Sequence, residues 1–266
     1  MTTMTTGDIL ERTHHLLESV SLMTAETVLD SHLEQAAQKE ATYAEFLHGL
    51  LQAEAEARRL RKLSLRLKMA HLPYAKGLAQ FDFGFQPSID ERQVRELATL
   101  AFVQEASNVI LLGPPGVGKT HLSVALATEA IAGGYSAYFV SAYDLVTDLC
   151  AAMRQGKMQA RLPIYLRPRV LVIDEVGYLP EGEMGATIFF QIVTARYEKG
   201  SVIVTSNKSY ADWGSFFGDQ TIATAILERL LHHSTTMNIR GDSYRLKDRK
   251  KAGLTTTSPP LAQTSK

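Results

Sequence analysis

Apolar residues recur along this chain in two rhythms, and the change between them falls near residue 80. From about Ala25 to Met69 neither Gly nor Pro occurs except Gly49, and Ala, Leu, Glu, Gln, Lys and Arg dominate. Those residues lose little on entering a helix. Leu33, Ala37, Phe46 or Leu47, and Leu50 fall at helical spacing and give one apolar stripe. Pro73 ends this region, and Phe81-Asp82-Phe83-Gly84-Phe85-Gln86-Pro87 reads as an irregular aromatic linker. From Val109 onward short apolar runs alternate with longer helical stretches. The runs predict strands at Val109–Leu112, Ala137–Val140, Val170–Ile173 and Ser201–Thr205, with a short one around Met237–Ile239. Between them helices are expected at His121–Ala132 (stopped by Gly133-Gly134), Asp144–Met153, Gly185–Tyr197 and about Thr221–His233. Alternating strands and helices imply an α/β fold, a parallel sheet flanked by helices, behind a small all-helical N-terminal domain.

Composition narrows the class without naming a chemistry. Of 266 residues 45% are hydrophobic and 21% charged, enough apolar content for a sizeable core. Lys+Arg and Asp+Glu are both 28, so any nucleic-acid contact must come from local clustering. Cys150 is the single cysteine, which excludes an intrachain disulfide, and its apolar neighbours make it a core residue. Met1–Thr6 lacks the basic flank and apolar run of a signal peptide. No apolar segment approaches the ~20 residues of a membrane span. The expectation is a cytoplasmic protein with no membrane partner.

The chemistry begins where the first strand ends. Gly113, Pro114, Pro115, Gly116, Val117, Gly118, Lys119 and Thr120 spell G-x-x-x-x-G-K-[ST] between a predicted strand and a predicted helix. Glycines there allow backbone angles that aim successive N–H groups into a nest for phosphate. The helix that follows adds its positive dipole end. Lys119 is placed to meet the β- and γ-phosphates of ATP, and the Thr120 hydroxyl to ligate Mg2+. His121, next in the chain, is counted with the nucleotide-binding residues.

Two further strands end in polar residues. Val170-Leu-Val-Ile leads into Asp174 and Glu175. Ligands of such sheets sit at the carboxyl ends of strands. Asp174 is therefore expected at the Mg2+ ion and Glu175 at the attacking water. Ser201-Val-Ile-Val-Thr-Ser206 leads into Asn207, suited to hold that water or the γ-phosphate, or else an ordinary turn asparagine. Thr205 and Ser206 are weaker candidates for the same task.

These three motifs resemble those of AAA+ ATPases. A narrower resemblance, to IstB-like transposition helper proteins and the related DnaC-like helicase loaders, rests on several segments. They are Ser141-Ala-Tyr-Asp-Leu145, Leu171-Val-Ile-Asp-Glu-Val-Gly-Tyr-Leu179, Thr205-Ser-Asn-Lys208, Trp213, Ala225-Ile-Leu-Glu-Arg-Leu-Leu-His-His233 and Gly241-Asp-Ser-Tyr-Arg245. The resemblance implies ATP hydrolysis, an oligomer of like subunits with shared ATP sites, double-stranded DNA, and a cognate transposase as partner. By motif it makes Arg229 the trans-acting finger and Arg245 the γ-phosphate sensor, with Arg240 the substitute finger. A replicative helicase loader and a non-hydrolysing DNA scaffold are the alternative readings. The domains so implied are 1–78, helical and binding DNA or a partner; 79–250, AAA+ with a reduced lid; and 251–266, a disordered tail.

Other features carry less. Arg58, Arg59, Arg61, Lys62, Arg66 and Lys68 occur without an acid before Asp82, making this run the candidate DNA contact against the alternative of a solvated helix face. Phe81, Phe83 and Phe85 either cover the adenine or, the favoured reading, pack the linker on the core. Trp213 is expected as a core or interface anchor. His232 and His233 are set aside as metal ligands, because adjacent helical residues point in different directions and no partner ligand is in view.

Overall fold

The computed structural model describes residues 5–247 apart from Tyr178 and Glu181; the tail expected over 251–266 lies outside the described residues. It divides into two compact units, 1–65 and 66–266.

The first unit is built on α1 (Thr6–Ser19), α2 (Met23–Gln38) and most of α3 (Tyr43–Met69). Thr5 and Asp8 start α1 with a reciprocal capping box. The helical stretch from Ala25 to Met69 is not continuous: Glu40 takes a left-handed backbone (φ 51°), and α3 restarts from a second box between Thr42 and Glu45. That turn breaks the expected stripe. Leu50 is buried with Ala25 and Leu29, and Phe46 packs on them, but Leu33 and Leu47 face solvent. Leu22 precedes α2 and has no side-chain oxygen to cap it. Glu54 of α3 does so instead, its carboxylate accepting from the N–H groups of Thr24 (2.7 Å) and Ala25 (3.0 Å).

The second unit carries α4 (Glu91–Leu97), α5 (Ala101–Gln104), β1 (Asn108–Leu112), α6 (Lys119–Ala132), β2 (Ala137–Ser141), α7 (Ala142–Arg154), α8 (Met158–Arg161) and α9 (Pro163–Leu166). It continues with β3 (Val170–Asp174), α10 (Gly182–Arg196), β4 (Ser201–Ser206), α11 (Trp213–Phe217), α12 (Gln220–Leu231) and β5 (Ser234–Asn238). The strands form one parallel sheet in the order β2-β3-β4-β1-β5. β1, β3 and β4 are buried throughout, as strands covered on both faces must be. β5 starts earlier than its apolar residues suggested: Ser234, Thr235 and Thr236 pair along β1 at the sheet edge, where half-exposed polar residues are tolerated.

Helix faces and sheet close one large core that includes Leu145, Leu149, Ile173, Phe189, Ile192, Val204, Ile226 and Leu230. Cys150 is fully buried in it. Trp213 is fully buried too and meets Phe216 and Phe217 at ring-centroid distances of 5.6 and 5.7 Å. Asn108, buried at the start of β1, donates to Leu230 O (3.0 Å) and accepts from Val202 N (2.9 Å). That fixes β1 against β4 and α12. The opposite ends of β1, β3 and β4 therefore emerge side by side, and the polar residues that follow them meet there.

Candidate nucleotide-binding site

β1 runs into Gly113–Gly118, and α6 begins at Lys119. Gly118 adopts φ 100°, which an L side chain resists, and a Cβ there would lie 2.7 Å from the Phe81 ring. The Lys119 ammonium folds over the loop and donates to Gly113 O (2.7 Å) and Pro114 O (2.8 Å). Burial pulls its pKa down, while Asp174 and Glu175 pull it back up. A cation held on the loop carbonyls thus stands at a helix N-terminus, a receptor for polyanionic phosphate.

Asp174 closes β3 and is buried. Its carboxylate accepts from Thr205 Oγ1 (2.6 Å) and from Thr120 Oγ1 (3.0 Å to the nearer oxygen). Burial raises its pKa, and the two hydroxyl donors oppose that rise. The Thr120 hydroxyl and Asp174 carboxylate are hard oxygen donors in contact, a set that suits Mg2+. Glu175 leaves the strand at φ 59°, an uncommon backbone for a non-glycine residue. Its N–H donates to Thr205 Oγ1 (2.9 Å), so one hydroxyl ties both acids to the neighbouring strand. Glu175 itself is exposed toward the cavity. Asn207 follows β4 and approaches Gly177, where a Cβ would sit 3.0 Å from its Oδ1.

Around these residues lies a cavity of about 510 Å3, the size of a small-molecule site. Its walls include Pro115–His121, Glu175, Thr205, Asn207 and Arg245. Gly113 and Pro114 belong to the loop, and Asp174 stands behind Thr120 and Thr205. Sequence reasoning missed Tyr74, Lys76, Gln80, Gln86 and Tyr244, which also line it. Phe81 is a lining residue as well, edge-on to His121 at 5.2 Å, so the first linker aromatic reaches the cavity while Phe85 packs on Tyr244 at 5.1 Å. Burial lowers the His121 pKa, partly offset by its bond to Gly77 O. Tyr244 N donates to Gly116 O (2.9 Å), and Gln86 Nε2 to Asp242 O (2.8 Å). The segment that presents Arg245 is thus laced to both the loop and the linker.

The remaining cations lie elsewhere. Arg229 is half-buried on α12, donating to Ala225 O (2.9 Å) above the Phe190 ring (4.9 Å), and is not a lining residue of this cavity. Arg240 is exposed and bonds Ser88 through its backbone. On α3 the expectation of a run without acidic partners fails for two residues. Arg58 and Arg61 pair with Glu54 at 2.7 and 3.1 Å, because Glu54 lies upstream of the run at helical spacing. Arg59, Lys62 and Lys68 are exposed and Arg66 is half-buried. Burial would raise the Glu54 pKa, but bonds from Ala25 N, Arg58 and Thr24 N outweigh it and hold the carboxyl at about 2.

The chain matches the family described as IstB-like ATP binding protein over residues 15–252. An ATP-binding protein of insertion sequence IS21 from Pseudomonas aeruginosa is 52% identical over 235 residues, covering 88% of this chain and 89% of that one. The corresponding protein of insertion sequence IS5376 from Geobacillus stearothermophilus is 43% identical, covering 90% and 96%. Among solved structures, AMPPCP-bound DnaA from Aquifex aeolicus superposes with a TM-score of 0.54 at 19% identity, over 73% of this chain and 58% of that one. The parallel sheet with its phosphate loop is the AAA+ P-loop fold.

Proposed function

This chain belongs to the IstB-like ATP-binding family, and from that premise we propose that it hydrolyses ATP with Mg2+ to control assembly on double-stranded DNA beside a transposase. The observation that carries hydrolysis is the contact chain Thr120–Asp174–Thr205–Glu175, which sets an oxygen pair for a cation directly beside an exposed carboxylate. Lys119 and the loop amides neutralise the β- and γ-phosphates. The Thr120 hydroxyl and Asp174 hold Mg2+, which supplies charge neutralisation on the phosphates when bound. Glu175 orients or deprotonates the lytic water, Asn207 holds that water or the γ-phosphate, and Arg245 senses the γ-phosphate from the cavity wall. The insertion-sequence names of the relatives support the transposition role.

The test separates binding from chemistry. Lys119→Ala should sharply weaken ATP binding and turnover. Glu175→Gln keeps shape and should bind ATP normally, lose turnover, and remain longer on DNA because hydrolysis no longer resets it. Normal turnover in Glu175→Gln moves water activation to another residue. No turnover in the unmodified protein, with or without duplex DNA, makes it an ATP-dependent scaffold instead.

A further inference from the structure

The ends of α10 and α12 carry a cluster that the ATP site does not use. One ligand atom from each of Glu198, His232 and His233 lies within 4.8 Å of the others. Adjacent helical residues diverge, but here the helix stops in time. His232 closes α12, and His233 has already turned toward β5, its carbonyl accepting from Asn108 N (2.8 Å). The two imidazoles end with ring centroids 4.1 Å apart, and His233 Nε2 is 3.7 Å from Glu198 Oε1. The third ligand comes from a different helix end, where no sequence spacing could announce it.

Three details mark this cluster as more than exposed charges in proximity. The Tyr197 hydroxyl and His232 Nδ1 lie 2.8 Å apart; in the tautomer with Nδ1 protonated, this is the outer-sphere contact that fixes an imidazole and leaves Nε2 for a ligand. Glu198 is held at φ 57°, so the turn after α10 sets its side chain at a backbone cost. The frame beneath is rigid, since α10 and α12 share the buried core through Phe189, Ile192, Ile226 and Leu230.

We propose that Glu198, His232 and His233 form a binding site for a borderline divalent transition metal such as Zn2+. Two imidazoles and a carboxylate suit that class and not Mg2+, which prefers oxygen. Bond lengths of about 2.0–2.1 Å place neighbouring donors roughly 3.3 Å apart, a contraction that side-chain rotation at these exposed residues supplies. Three protein donors leave a position of a tetrahedral ion for water, and all three side chains are exposed. An ion there ties the end of α12, the helix that carries Arg229, to the end of α10.

The test uses metal-stripped full-length protein titrated with Co2+ in excess Mg2+, which keeps Co2+ out of the oxygen site at Thr120 and Asp174. The expected result is visible d–d absorption that saturates near one equivalent and is displaced by Zn2+. His232→Ala combined with His233→Ala should abolish it. Glu198→Gln, a same-shape change on an exposed side chain, should weaken Co2+ about tenfold or more and remains informative if the double variant fails to fold. The chain has other histidines, so the variants carry the assignment. Absorption that never saturates, or that is unchanged in Glu198→Gln, overturns the proposal.

Discussion

At the scale of single residues, the clearest energetic anchor is Arg196, 2% exposed in the core beneath the sheet. Its guanidinium donates to the carbonyls of Tyr165, Pro168 and Ser201, each at 2.9 Å, gathering the chain entering β3 and the start of β4. Burial lowers its pKa to about 10, with Arg169 adding to the effect, so it remains charged at neutral pH. Arg196→Met fills similar space but removes the donor from the Tyr165 and Pro168 carbonyls, while Ser201 O keeps its place in the β3–β4 ladder. Each orphaned buried group costs about 1–3 kcal/mol, so a net loss of about 3 kcal/mol is expected after relaxation. In a unit of this size that lowers the melting temperature by roughly 10 °C. ATP affinity should hold at low temperature, because the nucleotide loop lies at the opposite ends of the strands. A calorimetric melt that does not move would remove Arg196 from this role.

At the scale of elements, α3 shows how one helix serves two demands. Glu54 caps α2 and is neutralised by Arg58 and Arg61. Its folded pKa of about 2 lies below the ordinary 4.5, so the contribution is complete above pH 4.5 and fades as pH falls through about 2. Thermal melts should therefore show wild type more stable than Glu54→Gln at neutral pH, with the gap shrinking in that acid window. A gap independent of pH would refute the carboxylate's part. The same pairing refines the DNA expectation: of that run Arg59, Lys62 and Lys68 are the exposed cations without a carboxylate partner among the described ion pairs, and Arg59 and Lys62 lie beside the paired Arg58 and Arg61. Reversing Arg59 and Lys62 should weaken duplex binding for every sequence and flatten its salt dependence, whereas Arg58 and Arg61 reversals should also destabilise the first unit. Unchanged affinity and salt slope for the first pair would assign the face to solvent or a protein partner. Sequence legibility followed the same physics. The phosphate loop, Asp174 and Glu175 were readable because their chemistry is local to strand ends. The break at Glu40 was hidden because it contains no Gly or Pro, although Thr42 and Glu45 spelled its cap. Tyr74, Lys76, Gln86 and the Glu198 cluster were hidden because only folding brings them to their partners.

At the scale of the whole molecule, the question is whether one chain contains a complete catalytic site. Its cavity holds the phosphate loop, Glu175, Asn207 and Arg245, whereas Arg229 is engaged with Ala225 O and the Phe190 ring away from the lining. A γ-phosphate in the cavity gathers charge in the transition state, and a cation supplied there by a neighbour can be worth roughly 10³–10⁵ in rate. If Arg229 is that cation, Arg229→Ala should bind ATP nearly normally yet lose turnover and ATP-dependent assembly. Lys119→Ala should lose turnover for the other reason, an unusable loop beside an intact finger. Mixing the two inactive variants then restores interfaces in which one subunit gives the loop and the next gives the arginine. Recovered activity that peaks at intermediate ratios is the expected outcome. Variants that co-assemble by light scattering but stay inactive at every ratio would confine Arg229 to its own subunit, with Arg240 next to be examined. Such a division would also give the architecture a reason: were catalysis split between chains, turnover would report assembly, and the proposed control by gathering on DNA would follow from that requirement.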